Sequence, residues 1–279
     1  MSNVLPRAKQ IAILNALVEG NSVRSTERMV DVNRESVLSL LVRVGEGCAV
    51  VLDQMMRNLT CDRLELDEIW GYVQKKQRNV TKEDNAAEVG DTWIYVAIDA
   101  DTKLVPSFRV GKRDGENTRA FVADLASRLS NRVQLSTDGL KMYVDAVELA
   151  FGSDVDYGMV VKSYEAEATG PGRYSPPKVT SVEKAIVMGS PDLDTISTSY
   201  VERQNLTMRM QIRRLTRLTN AFSKKLRNHR AAAALHFANY NLVRRHGTLR
   251  VTPAMAAGVT TTLWSMDDLL DAALEGTRP

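Results

Sequence analysis

The chain has 279 residues, 44% apolar and 25% charged, enough for one large domain with one or two small appendages. No apolar run approaches the roughly 20 residues of a membrane span and no leader pattern opens the chain, so a cytosolic protein with no membrane partner is expected. Cys48 and Cys61 are the only cysteines and form no C-x-x-C pair, which argues against a zinc ribbon or a disulfide framework, while the net charge of +3 hides a segregation: residues 203–266 carry 12 Lys/Arg and no Asp/Glu, against 24 and 30 in residues 1–202.

The first elements read as helices. Ile11, Leu14 and Val18 recur at helical spacing over 7–19, and Gly20-Asn21 stops the run. Ser22 caps a second helix ending near Val30, and Asn33 caps a third. In the third, Val37, Leu40, Leu41 and Val44 share one face and Ser36, Ser39 and Arg43 the other. Three short helices with brief turns suit a helix-turn-helix, with Ser36, Ser39 and Arg43 as candidate DNA contacts, although three-helix units that bind no DNA share the pattern. Residues 1–58 are assigned to this module and a connecting helix.

From about residue 62 the texture is that of strands. Leu64–Trp70 alternates, Trp93–Ile98 is rich in β-formers, and Leu104–Val110 follows a turn built on Asp99 and Asp101. A helix over 117–129, a short strand over 133–137, a helix over 140–151 and a strand over 157–161 complete an α/β layer fold, a mixed sheet flanked by helices. Pro171, Gly172, Pro176, Pro177, Gly189 and Pro191 mark residues 165–198 as an irregular insertion.

The next helix places Val201, Met208, Ile212 and Leu215 on one face and Glu202, Asn205, Arg209, Arg213 and Thr216 on the opposite one. One carboxylate thus heads a basic stripe, whose arginines are candidate phosphate contacts. A second basic amphipathic helix is expected over 220–243, within a basic helical C-terminal region of residues 220–279; residues 59–219 form the central domain. His229, His236 and His246 share no zinc-motif spacing, and the first two read as structural.

Breaking or joining a phosphodiester calls for an activated oxygen nucleophile and for shielding of negative charge, both of which divalent ions held by carboxylates supply. Asp67 lies on the first strand, Asp138 just past the end of the fourth and Glu202 at the start of the amphipathic helix, positions from which three carboxylates can converge. Each alone also reads as a cap or a dipole partner. Glu68 is expected on the opposite face of its strand, away from that cluster.

Three blocks resemble the DDE transposases of bacterial and archaeal insertion sequences, especially the insertion-sequence-one family: Leu66-Asp67-Glu68-Ile69-Trp70, Ser136-Thr137-Asp138-Gly139 leading to Tyr143, and Ser199 to Leu206 followed by Arg209, Arg213 and Arg214. Tyr240 to His246, with Leu249 and Thr252-Pro253, is similar to the family's tail and makes His246 a possible accessory residue. The resemblance implies an RNase-H-like catalytic domain, with Asp67, Asp138 and Glu202 as catalytic and metal-binding residues. It implies Mg²⁺, with Mn²⁺ as substitute, transposon-end and target DNA as partners, and a homodimer or higher oligomer acting at the nucleoid. Arg203, Asn205, Arg209, Arg213, Arg214, Arg217, Lys224 and Lys225 become candidate DNA contacts. The cysteine-rich finger found in many members is missing here. Two other readings stay open, a metal-dependent nuclease of the same fold and a DNA-binding regulator whose carboxylates are structural.

Overall fold

A computed structural model describes residues 5–165, 178–217 and 219–276. Three helices come first, α1 (Arg7–Val18), α2 (Val23–Val30) and α3 (Arg34–Met55). Ser22 and Asn33 cap the second and third as expected, their side chains accepting the N–H groups of Ser25 and Glu35.

Strands β1 (Arg63–Val73), β2 (Gly90–Asp99) and β3 (Phe108–Gly111) follow. Then come α4 (Gly115–Ala126), β4 (Val133–Asp138), α5 (Met142–Phe151), β5 (Val155–Tyr164) and β6 (Val179–Met188). The chain continues through α6 (Ser199–Gln211), α7 (Leu226–Ala238), a short α8 (Pro253–Ala256) and α9 (Met266–Glu275). One six-stranded sheet runs in the order β3-β2-β1-β4-β5-β6. β1, β4 and β5 are parallel, while β2 pairs antiparallel with β1, β3 with β2 and β6 with β5. This is the mixed α/β layout that the sequence leads one to expect. Residues Ile94 to Asp99 of β2 are buried without alternation, the mark of a strand covered on both faces.

On one face, Tyr95 of β2 packs on Phe121 of α4, and the Tyr143 hydroxyl of α5 reaches Glu68 of β1. On the other, α6 lies against β1 and β2, and Phe237 of α7 packs on Phe108 of β3 with ring centroids 4.6 Å apart. α3 in turn packs on α7 and α9. Gly45 and Gly47 permit this approach, because a Cβ at either would strike the backbone of Ala231 in α7 or of Ala273 in α9. No helix among the described residues is long and apolar enough to cross a membrane.

Three sequence expectations are corrected. Residues 104–107 do not extend β3; the Asn241 side chain instead takes the Val105 N–H at 3.0 Å and donates to the Val105 carbonyl at 2.8 Å, in place of a strand partner. The irregular insertion over 165–198 contains β6, paired with β5; Gly189 and Pro191 follow its end rather than denying it, and Pro171 to Pro177 lie outside the described residues. The helix over 220–243 starts only at Leu226, and Ala231 to Ala238 are all buried, so it is a core helix with small side chains, not an amphipathic basic one.

Candidate active site and its basic surroundings

β1 and β4 run side by side only as far as Leu66 opposite Thr137. The next residue of each strand is an aspartate, Asp67 and Asp138, so the two stand where the strands part. Beyond that point β1 keeps its partner on the β2 side, Asp67 opposite Val96 and Glu68 opposite Tyr95, while its other edge has no strand partner until Val73 meets Ser223. One carboxylate oxygen each from Asp67, Glu68 and Asp138 lies within 4.8 Å of the other two.

The presence of Glu68 corrects the expectation that it points away. Its side chain does leave β1 on the face of α4 and α5, but at the open edge its carboxylate still reaches the group. Tyr143 donates to one of its oxygens at 3.1 Å, and the Arg113 guanidinium donates to the other at 2.6 Å. Asp67 is held from the opposite face, where the Asn205 amide of α6 donates to Oδ2 at 2.8 Å and the Glu68 N–H donates to Oδ1 at 2.8 Å. Asp138 accepts the Leu140 N–H at 3.0 Å, the capping bond that its sequence position also suggests.

Glu202 is not in this tight group. It is exposed, and its carboxylate accepts from Lys162 of β5 and from the Thr198 hydroxyl. Its charge is still felt: burial first, then Glu68, with smaller contributions from Asp138 and Glu202, pushes Asp67 up to about 7. Burial likewise raises the Glu68 carboxyl, against the pull of Arg113.

Sequence reasoning missed Glu65. It is almost completely buried two residues before Asp67, on the same face of β1, and Oε2 accepts the N–H groups of Tyr200 at 2.7 Å and Val201 at 3.0 Å. These are free donors at the start of α6, which Thr198 does not cap with its own side chain. The available signal was an acidic residue in the alternation of a buried strand, in phase with Asp67.

The donor set is chemically suited to a divalent cation: half-buried, hard carboxylate oxygens from two strands, one of them raised by burial and by like charge that a cation would offset. A divalent cation that prefers oxygen ligands fits these residues.

The expected basic stripe on α6 is broken. The helix ends at Gln211, and Ile212 adopts an extended conformation so that it and Leu215 are both buried. The Thr216 hydroxyl then donates to the Arg209 carbonyl and the Arg209 guanidinium to the Leu215 carbonyl, each at 3.2 Å, closing the last turn without another helical one. Arg213 therefore no longer continues the face of Arg209, and Asn205 faces Asp67. Arg203, Arg213, Arg217, Lys224 and Lys225 are exposed and Arg214 is half-buried. On α3, Ser39 and Arg43 are exposed and Ser36 is half-buried. His246 sits in a turn with its Nδ1 3.0 Å from the Thr248 hydroxyl; His229 and His236 are buried in α7.

No protein-family model matches the chain, and no curated protein does. Similar solved structures include the Mos1 transposase paired-end complex with the left transposon end, at 14% identity over 53% of this chain and 59% of that one, with a TM-score of 0.21. The Mos1 strand transfer complex matches at 15% identity over 53% and 58%, with a TM-score of 0.22. The chain spans less than two thirds of these proteins, and neither the fold nor the site described above rests on the likeness.

Proposed function

We propose that the chain is a DNA transposase of RNase-H-like fold that cuts at insertion-sequence ends and joins the 3′-hydroxyls to target DNA. The observation that carries this reading is the meeting of Asp67, Glu68 and Asp138 where β1 and β4 part, with Asp67 bonded to Asn205 one helical turn from Glu202. The sequence blocks around Asp67, Asp138 and Glu202 support it from a separate direction.

A divalent cation at the carboxylates, when bound, supplies positive charge to the scissile phosphate and the departing oxygen. Asp67 and Asp138 hold it from two strands. Glu68, fixed by Tyr143 and Arg113, adds an oxygen from the α5 side. Asn205 sets the orientation of Asp67, and Glu65 fixes the start of α6 so that Glu202 stands over the strand ends. Glu202, which the structure pairs with Lys162, would add a further oxygen to the set, and Lys162 would offer its charge to a phosphate oxygen. Helices α1–α3 act as the helix-turn-helix, Arg203 and Arg217 contact backbone phosphates, and two or more copies assemble on paired ends at the nucleoid.

The test is a strand-transfer assay with labelled duplexes taken from DNA flanking the gene, a supercoiled plasmid acceptor, and Mg²⁺ or Mn²⁺. Labelled ends joined to plasmid are expected. Nicks without joined product reduce the activity to that of a nuclease, and DNA binding without metal-dependent cutting overturns the enzymatic reading.

A further inference from the structure

A groove of about 1500 Å³ runs between the α2–α3 end of the N-terminal helices and residues 213–228. Eight lysines and arginines line it, against two glutamates. Both glutamates are already engaged, Glu46 by Arg227 at 2.5 Å and Glu35 by Arg34 at 3.5 Å. The other six cations, Arg24, Arg43, Arg213, Arg214, Lys224 and Lys225, have no ion pair among the described residues.

Arg214 is the most telling of them. It is half-buried, has neither a hydrogen bond nor an ion pair among the described residues, and lies close enough to the buried His229 to disfavour its protonation. Loss of water alone pushes its guanidinium down to about 10. Placing a charge so with no counter-charge is costly, and an anion entering the groove relieves that cost. Ser39 and Asn220 stand among the cations and can donate neutral hydrogen bonds of the kind phosphate oxygens accept. A cleft walled on two sides suits a polyanionic strand better than a flat lipid surface.

We propose that this groove grips the phosphodiester backbone of DNA, with the Arg214 guanidinium on a phosphate, so that α2–α3 and residues 213–228 bind as one composite surface. The inference rests on the proposed function for the identity of its ligand and adds a second contact region to it. Glu202 stands near the head of α6 and Arg213 two residues beyond its end at Gln211; the helical rise between Glu202 and Gln211 is about 14 Å, which puts Arg213 about 15–20 Å from Glu202, or about five base-pair steps. The groove thus holds DNA about half a duplex turn from the carboxylates.

The test is fluorescence anisotropy with a duplex of about 30 base pairs, titrated with salt in EDTA so that the carboxylate site takes no part. The exposed triple variant Arg24→Ala, Lys224→Ala, Lys225→Ala should flatten the slope of log affinity against log salt by about 2–3 units, at about 0.9 per phosphate contact. Arg78→Ala with Lys82→Ala, outside the groove, should change it by less than about 1 unit. Arg214→Lys keeps the charge, loses the forked donor geometry, and should weaken binding about tenfold with an unchanged melting temperature. Parental slope and affinity in both groove variants would overturn the inference, as would a loss confined to binding of poly-glutamate or of phosphatidylserine vesicles. Groove binding that persists in a protein without metal-dependent cutting would overturn the enzymatic reading alone. Strand transfer with groove variants of parental affinity would overturn the groove alone.

Discussion

The Asn205 side-chain amide donates to Asp67 Oδ2 at 2.8 Å, tying α6 to β1 at the carboxylate most perturbed by its surroundings. The Asn205 carbonyl oxygen is buried without a partner, so truncation removes little that stabilises the fold. Asn205→Ala should lower metal-dependent DNA cutting by about 10–100-fold, as loss of an orienting contact to a metal ligand does, and leave the melting temperature nearly unchanged. Steady-state cutting alongside thermal unfolding checks both. A large loss of stability would mean that Asn205 is a structural residue.

A metal-binding measurement should separate the four carboxylates. Cations that bind only the folded state raise the melting temperature, by an amount set by concentration over Kd. With Mg²⁺ or Mn²⁺ at about 10 mM, the wild type should gain several degrees, and Asp67→Asn and Asp138→Asn should gain none. Glu68→Gln should lose most of the gain, because Glu68 already stands in the group. Glu202→Gln should keep it in the absence of DNA, because Glu202 is held by Lys162, yet should abolish cutting. A full metal response in Glu68→Gln would remove Glu68 from the ligand set.

Glu65 satisfies two otherwise open N–H groups at the start of α6. Glu65→Ala leaves both donors unpaired, the Val201 N–H buried and the Tyr200 N–H partly so, and should cost about 3 kcal/mol in urea unfolding, at about 1–3 kcal/mol per orphaned group. Glu65→Gln keeps an acceptor oxygen and should cost about 1 kcal/mol. Equal losses in the two variants would show that charge rather than hydrogen bonding anchors the helix.

His229 and His236 are buried in α7, and burial pushes each down to about 3. Unfolded, they titrate near 6.5, so above that pH neither state takes up a proton and the histidines leave stability untouched. As pH falls below about 6.5 only the unfolded chain binds protons, and stability is lost until the folded values near 3 are reached. Each histidine should contribute a loss of about 2 kcal/mol between pH 7.5 and pH 5. Asp67, raised to about 7, has the opposite sign over that range. The informative quantity is therefore the difference between wild type and His236→Gln, whose loss at pH 5 should be smaller by about 2 kcal/mol. Identical pH profiles would show that His236 is protonated in the folded protein.

At Gly45, replacing glycine by alanine improves helix propensity by up to about 1 kcal/mol. The new Cβ would collide with the Ala231 backbone in α7, and overpacking of this kind costs about 1–3 kcal/mol or more. The collision should win, so Gly45→Ala lowers the urea midpoint; a raised midpoint would mean that α3 and α7 separate freely.

Helices α1–α6, strands β1–β5 and the positions of Asp67 and Asp138 were legible in the sequence, because apolar periodicity, caps and turn residues are local signals that each segment carries by itself. Ser22 and Asn33 cap where they should, and each aspartate stands at the point on its strand where parallel pairing ends. Local signals failed where a partner distant in the chain decides. Glu68 joins the carboxylates because β4 stops one residue short of it, which no pattern within β1 records. α6 ends at Gln211 because Ile212 and Leu215 turn inward to the core, although the 3.6-residue period continues through them. The role of Glu65, the lodging of Glu202 against Lys162 and the meeting of α3 with residues 213–228 depend on segments 40 to 190 positions apart. Periodicity fixes which face of an element is apolar; only packing decides what that face, and the polar one behind it, meets.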